Sequence, residues 1–242
     1  MMKTYKILLS FFLILISGMG FSQSVPSYVP TNGLVGWWGF NGNAQDGSGN
    51  GNHGTVNGAT LTTDRFGNQN GAYDFDGVND YVDLGDMSAY IDNLGQFTLS
   101  YWVNSELLFY GYQGNLSGGV FAHWVNHSAG VHPIGIQSGI SPQGKIEISV
   151  IGGQGTSSSF QLNPNQTYNV IVTFNGSLPL SERFKLYING NFQEFLNLSP
   201  STGNFGNIAN QTAIGGYVGP SPNGVYSRFN GKLDDIGIGT EH

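Results

Sequence analysis

Phe97-Thr-Leu-Ser-Tyr-Trp-Val103 indicates the fold class, because apolar and more polar positions alternate along it. Its odd-numbered residues are all apolar or aromatic and fall on one face of an extended chain. Thr98, Ser100 and Trp102 fall on the opposite face. This period of two is typical of a β-strand with one buried face and predicts a strand here.

Similar short runs follow at about ten-residue spacing, with turns rich in glycine, asparagine and aspartate between them. The pair Asn189–Gly190 separates two such runs and predicts a type I′ hairpin. No useful length of the chain shows helical periodicity. We therefore predict an all-β fold, a sandwich of two antiparallel sheets. Trp37, Trp38 and Trp102 lie in strong strands and are expected in the core.

Composition limits the partners and the sources of stability. The chain of 242 residues has no cysteine, so no disulfide can stabilise it. Its formal net charge is −7, and only 10% of its residues are charged. Such a chain is not expected to bind nucleic acid or an anionic membrane surface. Cations and neutral polymers are better suited to it.

The N-terminus has the pattern of a signal peptide over residues 1–22. Lys3 and Lys6 precede an apolar run at 7–16, which is too short to span a bilayer, and a cut is expected before Gln23. A buried N-terminal helix is the alternative. Residues 23–32 are predicted to form an extended lead-in and residues 33–242 one domain. No later stretch resembles a transmembrane helix, so we expect a protein that is secreted or held at the cell surface.

One polar loop follows the first predicted strand and has the spacing of half a calcium loop. Asp46, Ser48 and Asn50 alternate with glycines, as oxygen ligands do in such loops. Asn57 stands where a bidentate glutamate would complete the motif. The missing negative ligand is expected from Asp234 or its neighbour near the C-terminus. A glycine-rich surface turn without an ion is the alternative.

Aromatic residues near predicted strand ends are the candidates for ligand contact. A flat aromatic ring suits the apolar face of a sugar, so a glycan or another cell-surface polymer is the expected partner. Packing of these rings over the rim of the core is the alternative. The candidates are Tyr110, Tyr112, Trp124 and Tyr217.

Catalytic carboxylates are not recognisable. Hydrolysis of a glycoside needs two carboxylates about 5–10 Å apart across the sugar, but Glu147 stands alone on its predicted strand between Lys145 and Ser149. We therefore expect a non-catalytic binding module. An adhesive or structural module that contacts protein, and an accessory domain of a glycoside hydrolase, are the alternatives.

Several motifs in order resemble the laminin-G-like jelly-roll domain, within the concanavalin A-like lectin/glucanase group, as found in secreted proteins of Bacteroidetes-type bacteria. The resemblance implies a concanavalin A-like jelly roll that commonly carries one calcium ion and binds carbohydrate or protein. It also implies an ion site between the loop after the first strand and the last strand, here Asp46 and Asp234. The motifs are Gly33-Leu-Val-Gly-Trp-Trp-Gly-Phe40, Tyr73-Asp-Phe-Asp-Gly77, Leu186-Tyr-Ile-Asn-Gly190 and Phe229-Asn-Gly-Lys-Leu-Asp-Asp-Ile236.

Overall fold

The structure is a computed structural model that describes residues 24–91, 94–106, 118–124, 134–150, 154–196, 211–218 and 225–240. It is nearly all β. The strands, in chain order, are β1 (Leu34–Trp38), β2 (Thr55–Asn57), β3 (Thr60–Thr62), β4 (Ala72–Asp76), β5 (Tyr81–Gly85), β6 (Gln96–Ser105), β7 (Gly119–Trp124), β8 (Ile134–Ile140), β9 (Lys145–Val150), β10 (Gln154–Gln161), β11 (Thr167–Asn175), β12 (Phe184–Ile188), β13 (Asn191–Gln193), β14 (Phe195–Leu196), β15 (Gln211–Ile214), β16 (Tyr217–Val218), β17 (Val225–Tyr226) and β18 (Asn230–Gly239).

Two antiparallel sheets form a sandwich, as the sequence predicts. The first sheet has the order β13-β12-β11-β6-β18-β4-β3, and β1 also pairs with β18. The second has the order β14-β10-β9-β8-β7-β15-β5-β2. Strands β16 and β17 form a separate ribbon, and within the described ranges the helical turns are short, α1 (Ser88–Ile91) and a 3₁₀ turn (Leu180–Glu182). No helix in these ranges is long and apolar enough to cross a membrane.

Strand β6 lies in the middle of the first sheet, and its alternation is confirmed. Its odd-numbered residues from Phe97 to Ser105 are buried between the sheets, and its even-numbered residues are half-buried on the outer face. The hairpin between β12 and β13 is also confirmed, because Asn189 and Gly190 have φ angles of 50° and 77°. The sequence therefore predicted correctly which face of β6 is buried and where the β12–β13 hairpin turns, because each signal lies within a few consecutive residues.

The core lies between the two sheets and is built from aromatic and β-branched side chains. Trp37 is 4% exposed, but it lies opposite Gly237 and packs on the outer face of the first sheet. Trp38 is fully buried between the sheets, so the core prediction is confirmed for Trp38. It is wrong for Trp102, which is half-buried on the outer face of β6. The alternation along β6 gives the physical reason, since Trp102 shares a face with Thr98 and Ser100.

Candidate functional site

The outer face of the first sheet carries a mixed polar and aromatic surface where β6 and β11 run side by side. Trp102 lies opposite Asn169, and Ser100 lies opposite Ile171. All four side chains are half-buried. They form the part of the sheet surface against which the remaining groups of the site are arranged.

An irregularity in β18 brings two carboxylates to this face. Asp234 pairs with Trp102 and Gly237 pairs with Ser100, so β18 has one residue more than β6 between these pairs. Asp235 lies at this bulge with a φ angle of 47°. In a regular strand, neighbouring side chains point to opposite faces, but a bulge re-aims one of them. Asp234 and Asp235 can therefore both reach the same partner.

That partner is Arg65, from the loop between β3 and β4. One terminal nitrogen of its guanidinium donates to Asp234, and the other donates to Asp235 Oδ2 at 2.6 Å. The guanidinium carbon lies 4.4 Å from the centre of the Phe66 ring and 4.5 Å from that of Trp102, within range for cation–π contact. The Arg65 side chain is only 10% exposed. Among the described residues its Nε has no hydrogen-bond partner.

Burial and nearby negative charge disfavour the ionised forms of Asp234 and Asp235. Burial, reinforced by the charge of Asp235, raises the pKa of Asp234 to about 7. Burial also raises the pKa of Asp235, although the Arg65 guanidinium opposes this shift. One arginine thus faces two aspartates, and the cluster keeps a net negative charge when both are ionised.

A cavity of about 610 Å³ opens beside this cluster, and we call it the Arg65 groove. Tyr28 of the N-terminal lead-in and Phe66 stand at its rim, 70% and 74% exposed. Gly237 of β18 carries no side chain, and the Trp37 ring occupies the space beside it, 2.7 Å from where a Cβ would lie. The main polar and aromatic lining residues are Tyr28, Trp37, Arg65, Phe66, Trp102 and Asp235.

A second cavity of about 320 Å³ adjoins the Arg65 groove on the same sheet face. Thr98 lines the Arg65 groove and Thr173 lines the second cavity, and these two residues are direct cross-strand partners. The second cavity is mostly polar. Its lining includes Gln96, Asn175, Glu182, Arg183 and Lys185.

The aromatic residues proposed from the sequence are not tested. Trp124 and Tyr217 lie in β7 and β16, but their side chains are outside what the structure describes. Tyr110 and Tyr112 are outside the described residues altogether. Sequence reasoning missed Arg65, Phe66 and Tyr28. Arg65 is one of only 8 basic residues, which is a weak signal, and nothing local links it to Asp234, 169 positions away.

The loop around Asp46 lies along the free edge of β1. Both carboxylate oxygens of Asp46 are engaged: Oδ1 accepts the N–H groups of Trp37 at 3.0 Å and Ser48 at 2.8 Å. Oδ2 accepts the Ser48 hydroxyl at 2.8 Å and the Asn52 N–H at 3.0 Å. The side-chain amides of Asn50 and Asn52 donate to the Val35 carbonyl at 3.0 and 2.9 Å.

This arrangement does not fit the calcium site proposed from the sequence. Calcium takes six to eight oxygen ligands, but Asp46 already accepts four hydrogen bonds and Asp234 is paired with Arg65. Asn50 directs its amide nitrogen, not its oxygen, to the strand. Within the described ranges, no group of three or more acidic, histidine or cysteine side chains could hold a metal. The calcium site at Asp46, Ser48, Asn50 and Asp234 stays a prediction.

The comparisons with known proteins agree with this architecture. The model of the Concanavalin A-like lectin/glucanases superfamily matches residues 75–239, and the chain belongs to that family. No curated protein matches the chain.

Three solved structures show the same fold. Domain 4 of AbnA, a GH43 extracellular arabinanase from Geobacillus stearothermophilus in complex with arabinotriose, is 18% identical over 86% of this chain and 92% of that one, with a TM-score of 0.54. A mutant Trypanosoma rangeli sialidase is 14% identical over 87% of this chain and 31% of that one, with a TM-score of 0.59. The CBM40 of Ruminococcus gnavus IT-sialidase, bound to α2,3 sialyllactose, is 11% identical over 77% of this chain and 91% of that one, with a TM-score of 0.50.

Proposed function

We propose that this protein is a carbohydrate-binding module that holds a glycan in the Arg65 groove. The observation that carries the proposal is the pair of exposed rings at the rim, Tyr28 and Phe66, beside an opening lined by Trp102 and polar groups. Large exposed aromatic side chains around a concave site are typical of ligand recognition. They offer flat apolar faces to a sugar ring, and neighbouring polar groups bind its hydroxyls.

The structural neighbours support the same class of ligand. The arabinanase domain binds arabinotriose, and the sialidase module binds sialyllactose. Each of these two similarities extends over most of this chain and over most of the neighbour's own chain. With the predicted signal peptide, this similarity supports a module that works outside the cytoplasm.

The ion pairs that Asp234 and Asp235 form with Arg65 favour a binding role over hydrolysis. Asp234 and Asp235 are adjacent in the chain and share one guanidinium. A glycosidase needs an acid and a nucleophile or base on opposite sides of the scissile bond, about 5–10 Å apart. Because both aspartates are occupied by the same arginine, this pair is not suited to that task.

Substitution at the rim tests the proposed site. We expect Phe66→Ala to weaken the binding of any glycan found on an array by about tenfold or more, since a stacked ring is lost. Its melting temperature should change little, because the side chain is 74% exposed. Titration calorimetry on the purified protein measures the affinity.

Phe192→Ala is the matched control, because Phe192 is 57% exposed on the edge strand β13 and lines neither cavity. It should bind as the wild type does. Equal affinities for wild type and Phe66→Ala would place the glycan elsewhere. Absence of glycan binding, with capture of a protein ligand instead, would favour the adhesive alternative.

A further inference from the structure

We propose that the Arg65 groove selects uncharged glycans and rejects acidic ones, such as sialylated or uronic-acid sugars. This inference rests on the proposed glycan binding and names the ligand class of that same groove. It concerns the one basic side chain among the described residues that line the groove, which is Arg65.

Arg65 is already committed to the protein's own carboxylates. An arginine recognises an acidic ligand best through two parallel N–H···O bonds from its guanidinium fork. Here both terminal nitrogens donate to aspartates, one to Asp234 and the other to Asp235. A ligand carboxylate would have to compete with these internal anions, whereas a sugar hydroxyl would not.

The charge balance of the groove acts in the same direction. Above the raised pKa of Asp234, where both aspartates are ionised, Asp234 and Asp235 carry two negative charges against the single positive charge of Arg65. Asp64 lies close enough to raise the pKa of both aspartates further. Asp234, Asp235 and Arg65 are about nine-tenths buried, so little solvent separates their charges from a ligand in the groove. An anionic ligand therefore approaches a site of like charge, which disfavours its binding.

The aromatic rings and uncharged polar groups around the groove can contact a neutral sugar. Phe66 and Trp102 flank the guanidinium, and Tyr28 stands at the rim. Ser100, Thr98 and Asn169 add uncharged hydrogen-bonding groups to the lining. This combination can bind an uncharged glycan by ring stacking and hydroxyl contacts, without any compensating charge.

Matched pairs of glycans test the selectivity of the wild type. Suitable pairs are lactose with α2,3 sialyllactose and galactotriose with trigalacturonate, together with a wider array of neutral and acidic glycans. At low salt and pH 8, above the pKa of Asp234, the neutral member of each bound pair should bind at least about tenfold more tightly. Added salt should narrow the difference by screening the repulsion. Acidic members that bind as tightly as the neutral ones, or that lose affinity when salt is added, would overturn the inference while leaving glycan binding intact.

Asp235→Asn tests the cause. Asparagine tolerates the positive φ angle of this position, and the substitution removes one negative charge and one partner of Arg65. The ratio of acidic to neutral affinity should rise by about tenfold or more. Asp76→Asn, the same change at the exposed end of β4 and not among the residues that line the groove, should leave the ratio as it is.

The possible outcomes distinguish the proposed selectivity from the proposed glycan binding. A folded Asp235→Asn protein with an unchanged ratio would overturn the charge argument. If that variant does not fold, the salt dependence of the wild type decides the same point. Failure of the wild type to bind any neutral or acidic glycan would instead overturn glycan binding itself, and the selectivity with it.

Discussion

At the scale of single residues, the backbone angle of Asp235 has the widest consequence. Its φ of 47° lies in the left-handed region, which asparagine and aspartate adopt more readily than other non-glycine residues. The resulting bulge brings Asp234 and Asp235 to one guanidinium. The cluster gains two ion pairs, but it also holds two buried like charges that one arginine cannot fully compensate.

The two carboxylates should make stability depend on pH. The pKa of Asp234 is raised from 3.8 to about 7, so between these values the folded state holds a proton that the unfolded state has released. The free energy of unfolding should therefore fall as pH rises through this window. We expect the melting temperature to fall by several degrees between pH 5 and pH 8. Other carboxylates whose pKa is raised by burial act with the same sign: Asp74, Asp80 and Glu147.

Asp235→Asn isolates the contribution of the pair. It removes the neighbouring charge that helps to raise the pKa of Asp234, so the fall in melting temperature should become smaller. Glu194→Gln should keep the wild-type slope, since Glu194 is exposed and its charge is not among the causes that raise the pKa of these carboxylates. Thermal melts at constant ionic strength measure all three proteins. A wild-type melting temperature that rises over this range, or identical slopes in the two variants, would contradict the argument.

At the scale of elements, the loop around Asp46 covers an exposed strand edge. Strand β1 pairs with β18 along one side only. Along its other side, Asp46 accepts the Trp37 N–H, and Gly47 donates to the Trp37 carbonyl at 2.8 Å. An unpaired edge offers a template for association with another chain, and covering it removes that risk. The alternating polar residues of this loop therefore have a structural task whether or not they bind an ion.

Removal of the Asp46 carboxylate should destabilise the domain. Asp46→Ala leaves the Trp37 N–H without its acceptor, and a buried unsatisfied donor costs about 1–3 kcal/mol. For a chain of this size, that loss lowers the melting temperature by roughly 2–12 °C. Asp46→Asn keeps one acceptor oxygen and should show an intermediate loss.

Melting with calcium and with a chelator separates edge covering from ion binding. If the loop only covers β1, the wild type melts equally in both conditions and Asp46→Ala loses the same amount in each. A wild type that gains stability with calcium, with the gain lost in Asp46→Ala and Asp234→Ala, would support the predicted ion site. In that case the stabilisation would follow the calcium concentration by mass action.

The sequence predicted correctly those elements whose signals lie within a few consecutive residues. The alternation along β6 and the Asn189–Gly190 turn each depend on a few consecutive residues, and both were confirmed. The Arg65 cluster could not be predicted in this way, because it joins residues 169 and 170 positions apart. The bulge in β18 could not be predicted from the sequence either, since it is defined by the register against β6 and not by the residues of β18 alone.

At the scale of the whole molecule, the two cavities lie along one sheet face and meet at the Thr98–Thr173 pair. Strand β11 runs from Asn169 in the Arg65 groove to Asn175 in the second cavity. Six residues of extended chain span about 20 Å. This length exceeds a single sugar and suits a short oligosaccharide that lies along the strands.

Affinity should therefore increase with the length of the glycan chain. In a series of one neutral glycan from dimer to hexamer, we expect the longer members to bind several-fold more tightly, because they contact both cavities. Lys185→Ala should reduce the affinity for the hexamer and leave that of the dimer unchanged, since Lys185 lines the second cavity only. Lys145→Ala, on β9 of the other sheet, is the matched control and should follow the wild type. Titration calorimetry across the series measures the effect. A dimer that binds as tightly as the hexamer would confine the glycan to the Arg65 groove, because the second cavity would then add no binding energy.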